Sequence, residues 1–395
     1  MENKIKIFYI SRTSNFTGAE NIVFDIVRNL DSNVFNPCIV LPDRNGYFYK
    51  KLIDNNLNVK IIKMPFIRIS YNPFILFWFL ISLIVLNVRF YFFLKRNKAD
   101  IVSCNTIHEA SFVAIPSKLL KIKLVICFKN ILDKKWKKKF RAKFCELFAD
   151  KIISVSYKAN EDFTNYVSRN SSKKNISVVI NDCISPDDYL KDFKRNEVIK
   201  NYFNKSLSDF IIINIGSITM LKGQMLLLES LMEKKLKNIN NIKVLLIGDI
   251  YHKNDNYYKN EIINFINKNN LNNKVFLTNY QKDVRNFLYE CSLFVHCPII
   301  DDAFPRVILE AFSFSKIVLA TKVGGIPEII KDGYNGFLCE INSIDLSNKI
   351  FYIYNNLKNL QHIKQNAFKT VSEHLNLRMQ IIKTEKIYKE MLGLY

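Results

Sequence analysis

Short apolar runs alternate along this chain with segments in which apolar residues recur every three or four positions. The runs at 5–10, 39–41, 59–64, 99–105, 124–128, 149–156 and 176–180 read as strands. Between the first two lies a segment with Ile22, Val23, Ile26, Val27 and Leu30 on one face of a helix. A polar, charged stretch at 187–208 then breaks the rhythm and reads as a linker. The alternation resumes with runs at 210–215, 243–247, 275–277, 293–295 and 317–320, and the tail at 375–394 reads as one long helix. Strands that are continuously apolar are buried on both faces, which is the mark of parallel sheets covered by helices. The expected fold class is therefore α/β with two Rossmann-like domains. One spans 1–190 and the other 205–372.

Two segments depart from that rhythm. From Phe74 to Leu86 the apolar run is unbroken; Asn87 and Arg89 interrupt it, and Lys95, Arg96 and Lys98 follow. A spanning helix needs about 20 apolar residues. The run fits a buried core helix or a helix whose outer face lies in a membrane surface, and less readily a true span. In 133–144, seven of twelve residues are basic, and Trp136, Phe140 and Phe144 recur every four positions. An aromatic stripe flanked by cations suits anionic lipid, a nucleic-acid groove, or an ordinary helix with its stripe in the core.

Composition changes this picture little. The chain has 395 residues and a formal net charge of +22, with more of the excess in its first half. Such charge favours anionic partners and says nothing about fold. The eight cysteines form no CxxC pair, so neither a zinc site nor a disulfide framework is indicated. The first ten residues lack the apolar core of a signal peptide, and the expected location is cytoplasmic, with a peripheral position on the cytoplasmic face of a membrane as the further possibility.

The candidate chemistry lies in loops that follow strands, where parallel sheets bind ligands. There is no GxGxxG, GxxxxGK[ST] or HExxH motif. Gly18 opens the first helix. Gly216, Ser217 and Lys222 follow the strand at 210–215, and Lys222 can place a cation on a phosphate. Val323-Gly324-Gly325-Ile326-Pro327-Glu328 is an open backbone before a proline-started helix. Most informative is Asp301-Asp302-Ala303-Phe304-Pro305-Arg306-Val307-Ile308-Leu309-Glu310-Ala311. Pro305 suits a first helical position, and the free N–H groups there suit an anion. Glu310 stands among apolar residues, and no basic residue follows it at +3 or +4. Its partner is expected from elsewhere in the fold or from a ligand.

These residues resemble a known family. Ile215-Gly216-Ser217 with Leu221-Lys222-Gly223-Gln224, Asp302 through Glu310-Ala311, and Val323–Glu328 with Asp332-Gly333-Tyr334-Asn335-Gly336 are similar to the donor domain of the group 1 (family 4) glycosyltransferases. Thr17-Gly18-Ala19-Glu20 and Val179-Ile180-Asn181-Asp182 carry a looser likeness in the first half. The resemblance implies the GT-B fold, with two Rossmann-like domains facing each other across a cleft and the helix 376–395 crossing back onto the first. It implies a retaining enzyme that moves a sugar from a nucleoside-diphosphate sugar to a hydroxyl acceptor. The basic, apolar first half points to a saccharide or lipid-linked acceptor in surface polysaccharide assembly. No metal or other cofactor is expected, since no Asp-x-Asp cluster ends a strand, and no nucleic-acid partner is expected.

The family's E-x7-E signature becomes Asp302…Glu310. The resemblance gives Asp302 a place beside the transferred sugar, and gives Lys222 the diphosphate. Gly18, Gly216, Ser217, Ala303, Phe304, Pro305 and Arg306 then line the donor, and Glu310 takes the ribose hydroxyls. His108, Tyr280, Gly324 and Gly325 are further candidates, and Asn279 stands where a glycine is usual, a replacement that asparagine allows at positive φ. Asp302 is one methylene shorter than the family's acid, and Ser217 stands where an arginine is common. The alternative is a catalytically impaired sugar-nucleotide or polyanion binder on the same fold.

Overall fold

The structure, a computed structural model, describes residues 4–15, 18–64, 73–168, 171–203, 206, 209–250 and 255–394. The chain divides into two compact domains, Met1–Asp182 with Leu377–Tyr395, and Cys183–Asn376. The division falls before the expected linker: 183–203 already belongs to the second domain.

The first domain contains strands β1 (Ile5–Ile10), β2 (Phe35–Leu41), β3 (Val59–Ile61), β4 (Ile101–Cys104), β5 (Lys123–Phe128), β6 (Lys151–Ser154) and β7 (Ser177–Val179). Its helices are α1 (Gly18–Asn29), α2 (Tyr47–Asp54), α3 (Pro73–Asn97), α4 (Ile107–Leu119), α5 (Lys135–Phe148) and α6 (Tyr157–Thr164). The second domain contains β8 (Phe210–Ile215), β9 (Ile242–Ile247), β10 (Val275–Leu277), β11 (Leu293–His296), β12 (Ile317–Thr321) and β13 (Phe337–Cys339). Its helices are α7 (Pro186–Leu190), α8 (Gln224–Met232), α9 (Asn256–Lys268), α10 (Arg285–Glu290), α11 (Arg306–Ser313), α12 (Ile326–Ile329), α13 (Ser343–Asn356) and α14 (Gln361–Lys369). The last helix, α15 (Leu377–Met391), returns to the first domain.

All strand pairs in both sheets are parallel, in the orders β3-β2-β1-β4-β5-β6-β7 and β10-β9-β8-β11-β12-β13. Each order reverses beside its first strand, between β1 and β4 and between β8 and β11. A ligand crevice forms beyond the strand ends at such a reversal. Both domains are thus Rossmann-like α/β layers. β13 has only three residues and follows a tight turn, and no strand is expected there from the apolar pattern.

In the first domain, alternate strand residues feed two separate cores. Phe8, Ile10, Val102, Leu124, Ile126 and Ile152 meet Leu86, Phe90 and Leu94 of α3, Phe112 and Val113 of α4, and Ala142 and Cys145 of α5. The intervening residues Ile7, Tyr9, Ile39, Ile101 and Val125 meet α1, α2 and Leu377, Ile381, Ile387 and Tyr388 of α15. Tyr388 and Tyr9 join hydroxyls at 3.0 Å, and Asp31 N donates to Glu385 Oε1 at 2.7 Å. This period of two is what a strand covered on both faces requires.

The core-helix reading of 74–94 fails over most of its length. α3 is one helix of 25 residues, and Leu86, Phe90 and Leu94 seat it on the sheet. Phe74, Phe77, Trp78, Leu80, Ile84, Val88 and Phe92 face outward, with Ile84 65% and Phe92 64% exposed. Asn87 does not interrupt it, because its side-chain amide donates to Leu83 O and Ser111 O. Phe77–Asn97 is the one helical stretch among the described residues that is long and apolar enough to cross a membrane, judged by length and composition alone. α4 lies against both α3 and α5. On α5, Trp136 and Phe140 are 60% and 61% exposed while Phe144 packs inward, so only one third of the aromatic stripe is core.

Candidate active site

The chemistry-bearing loops of the second domain gather at the C-terminal ends of β8, β11 and β12. After β8, Gly216 and Ser217 lead to a single 3-10 turn, Met220–Lys222. Gly223 closes it at φ +68°, and a Cβ there would stand 1.9 Å from Cys297 O. Only glycine permits that approach. With Ile299 N donating to Leu221 O at 3.1 Å, the turn is fastened to the loop that follows β11. Gln224 Nε2 donates to Ser217 O at 2.9 Å.

Lys222 Nζ reaches Asp302 Oδ2 at 2.7 Å. His296, the last residue of β11 and 2% exposed, brings Nε2 to 3.4 Å from the same oxygen. Burial alone would raise the Asp302 carboxyl, but His296 and Lys222 outweigh it and hold the group well below the usual carboxylate range. Burial keeps the His296 imidazole below its ordinary value against the upward pull of Asp302. The Asp302 backbone is fixed from the other side. Gly325 N donates to Asp302 O at 2.8 Å, and Gly324 N to Asp301 Oδ1 at 2.9 Å. Gly324 has φ +56°, and a Cβ on it would lie 2.1 Å from Asp302 O.

Ala303, Phe304 and Pro305 are buried and lead into α11. Pro305 caps the helix from outside, at φ −70° and ψ 109°, and Arg306 is its first residue, so the expected proline start is displaced by one position. The expectation for Glu310 is also corrected. Its partner is on the same helix, four residues earlier: Arg306 Nε donates to Glu310 Oε1 at 3.3 Å. Tyr280 stands apart and exposed, beside Asn279, whose φ of +57° is that of a glycine replacement.

Gly18 and His108 belong to the first domain. Gly18 opens α1 with space around it; Phe16 and Thr17 lie outside the described residues. His108 lies between Phe79 of α3 and Phe112 of α4, with ring centroids at 5.9 and 5.1 Å. Burial and the Arg12 charge push it down to about 4.

Two groups escaped the sequence reading. One is His296, a single histidine in an apolar strand. The other is Glu109, which accepts from Arg12 N at 3.3 Å and Thr106 N at 2.9 Å and so ties the loops after β1 and β4 together. Burial pushes Glu109 up to about 7, against Arg12. Its signal was present, since Thr106-x-x-Glu109 is a capping box at the start of α4.

Comparison with known proteins decides the family. Residues 195–370 match the model of "Glycosyl transferases group 1", and residues 16–181 match that of "Glycosyltransferase Family 4". The chain belongs to the group 1 glycosyltransferases. An uncharacterized glycosyltransferase of Methanocaldococcus jannaschii is 30% identical over 66% of this chain and 65% of its own length, so the chain spans just under two thirds of that relative. The Escherichia coli UDP-Gal:α-D-GlcNAc-diphosphoundecaprenol α-1,3-galactosyltransferase is 22% identical over 77% of this chain and 79% of its own. Among solved structures, Anabaena HepE in complex with UDP and glucose superposes with a TM-score of 0.79 at 20% identity, over 97% of this chain and 99% of its own. The architecture is that of the GT-B glycosyltransferases.

Proposed function

We propose that this glycosyltransferase moves a sugar, with retention, from a nucleoside-diphosphate sugar to a hydroxyl of a saccharide or lipid-linked saccharide in cell-surface polysaccharide assembly. The observation that carries the reading is the Lys222–Asp302 contact at the sheet's reversal point, just ahead of α11. A departing diphosphate needs fixed positive charge more than covalent help. Lys222, loop amides and the first turn of α11 supply it, and the reading assigns no metal or other cofactor. Asp302 faces the transferred sugar, and Glu310, steadied by Arg306, takes the ribose. The Escherichia coli relative acts, by its name, on a lipid-diphosphate-linked sugar from a UDP-sugar, and the Anabaena structure holds UDP and glucose. Both names support the donor and acceptor classes. The test is a panel of UDP-, GDP- and ADP-sugars offered with lipid-diphosphate-linked saccharides, with the product anomer read by NMR. Binding without turnover favours the non-catalytic binder, and an inverted product removes the retaining mechanism.

The same reading places the acceptor side at an anionic membrane surface. The outer faces of α3, α4 (Ile115, Leu119) and α5 (Trp136, Phe140) form a neighbouring apolar layer, and Lys135, Lys137 and Lys139 line α5. An interfacial helix binds through such an apolar face, and each basic residue near anionic lipid adds about 1 kcal/mol. Leu86, Phe90 and Leu94 hold α3 on the sheet, which supports a surface position over a crossing. Flotation with phosphatidylglycerol-containing vesicles checks this. Protein that stays in the soluble fraction at low salt overturns it.

A further inference from the structure

Asp302 has two neighbours of different mobility. Lys222 hangs from a 3-10 turn on a flexible stem, with its side chain 33% exposed. His296 is fixed: its backbone is paired in register with Ala320 of β12, and its ring stacks on Phe294 at 6.3 Å and 20°. Its Nε2 is buried, with Asp302 Oδ2 at 3.4 Å, a contact that falls short of a full hydrogen bond yet already favours the charged carboxylate. A buried nitrogen so weakly paired is costly, and a core position would suit an apolar residue better. The Asp302 backbone is held beside it, because Gly325 N donates to its carbonyl. If Lys222 serves the donor diphosphate, it must give up the 2.7 Å contact, and a partly buried carboxylate then loses its cation.

We propose that His296 is a positioning residue for Asp302: when the diphosphate draws Lys222 away, the imidazole Nε2–H closes the remaining few tenths of an ångström and becomes the donor to Asp302 Oδ2. The histidine thereby keeps the acid in place and lowers the cost of releasing the lysine. No proton changes owner; one hydrogen bond to the carboxylate replaces another. This inference rests on the assignment of Lys222 to the diphosphate.

The test is calorimetric titration of the full chain with UDP, GDP and ADP, using the wild type, Lys222→Met, His296→Leu, His296→Gln, Asp302→Asn and the His296→Leu/Asp302→Asn double variant. Lys222→Met loses affinity. His296→Leu weakens binding about tenfold, as removal of one hydrogen bond to a charged group should. His296→Gln, which retains an N–H donor, stays within about threefold of wild type. In the Asp302→Asn background the His296→Leu effect disappears, because there is no charge left to hold. A histidine that only fills the core would cost the same in both backgrounds, and that result overturns the proposal. So does unchanged binding by His296→Leu when Lys222→Met has lost it, an outcome that leaves the Lys222 assignment standing. If Lys222→Met binds as wild type does, the assignment and the proposal fall together.

Discussion

The two sheets share the same order around their reversal points, yet the loops beyond their first and fourth strands are built in opposite ways. In the second domain, Lys222 and Asp302 meet over 80 residues of sequence, and the cation is half-exposed on a movable stem. In the first, the corresponding loops are locked by a buried acid, Glu109, which binds backbone N–H groups of both. Strands alone therefore do not say where a charged ligand goes. One edge keeps a partly exposed cation beside its acid, and the other uses its acid to tie backbone N–H groups together.

The largest expected effect probes the movable edge. Lys222→Ala should lower transfer by 10²-fold or more, on the order seen when one charge-stabilising donor is removed; a kinetic assay with the active donor checks it, and a modest loss would make the two edges equivalent. Next, Gly324→Ala forces a side chain at φ +56° against the Asp302 carbonyl. It should cost about 1–3 kcal/mol in unfolding free energy and reduce turnover as Asp302 shifts, and a denaturant titration with parallel kinetics reads both.

The fixed edge is tested by Glu109→Gln. The folded Glu109 has its pKa raised to about 7 from 4.5, so its stabilising contribution is complete below about 4.5 and is lost as pH rises through 7. Wild type should lose up to about 3 kcal/mol between pH 5 and pH 8 that the glutamine variant keeps. Thermal melts at the two pH values check the difference, and parallel curves would show that Glu109 does not titrate there. The smallest effect concerns the outer face of the first domain. Trp136→Ala with Phe140→Ala should weaken vesicle binding several-fold while leaving melting unchanged, since both rings are exposed.

Much of the fold was legible, because parallel strands announce themselves as short apolar runs; what failed was local. Asn87 and Arg89 looked like interruptions, but an asparagine that turns its amide onto Leu83 O and Ser111 O continues a helix. β13 is too short to show a period. Within the site, Lys222 and Asp302 were nameable from their strand-end loops, but their pairing was not, since no local pattern encodes a contact across 80 residues. His296 gave no sign at all: one polar residue in an apolar strand reads as noise until its neighbour across the loop is known. Arg306 and Glu310, by contrast, are readable as a pair at helical spacing, the arginine one turn ahead of the acid.

The place of α15 bears on how the chain is made. Its Leu377, Ile381, Ile387 and Tyr388 close the core that begins with Ile5, Ile7 and Tyr9. During synthesis residues 1–182 leave the ribosome before residues 183–376, yet their domain is finished after them. Residues 183–376 can complete their own core while one face of the first sheet still waits for its cover. A premature stop near 376 would therefore leave the second domain whole and strip the first, exposing Tyr9 and its neighbours to chaperones and proteases, although the lesion lies beyond the second domain in sequence.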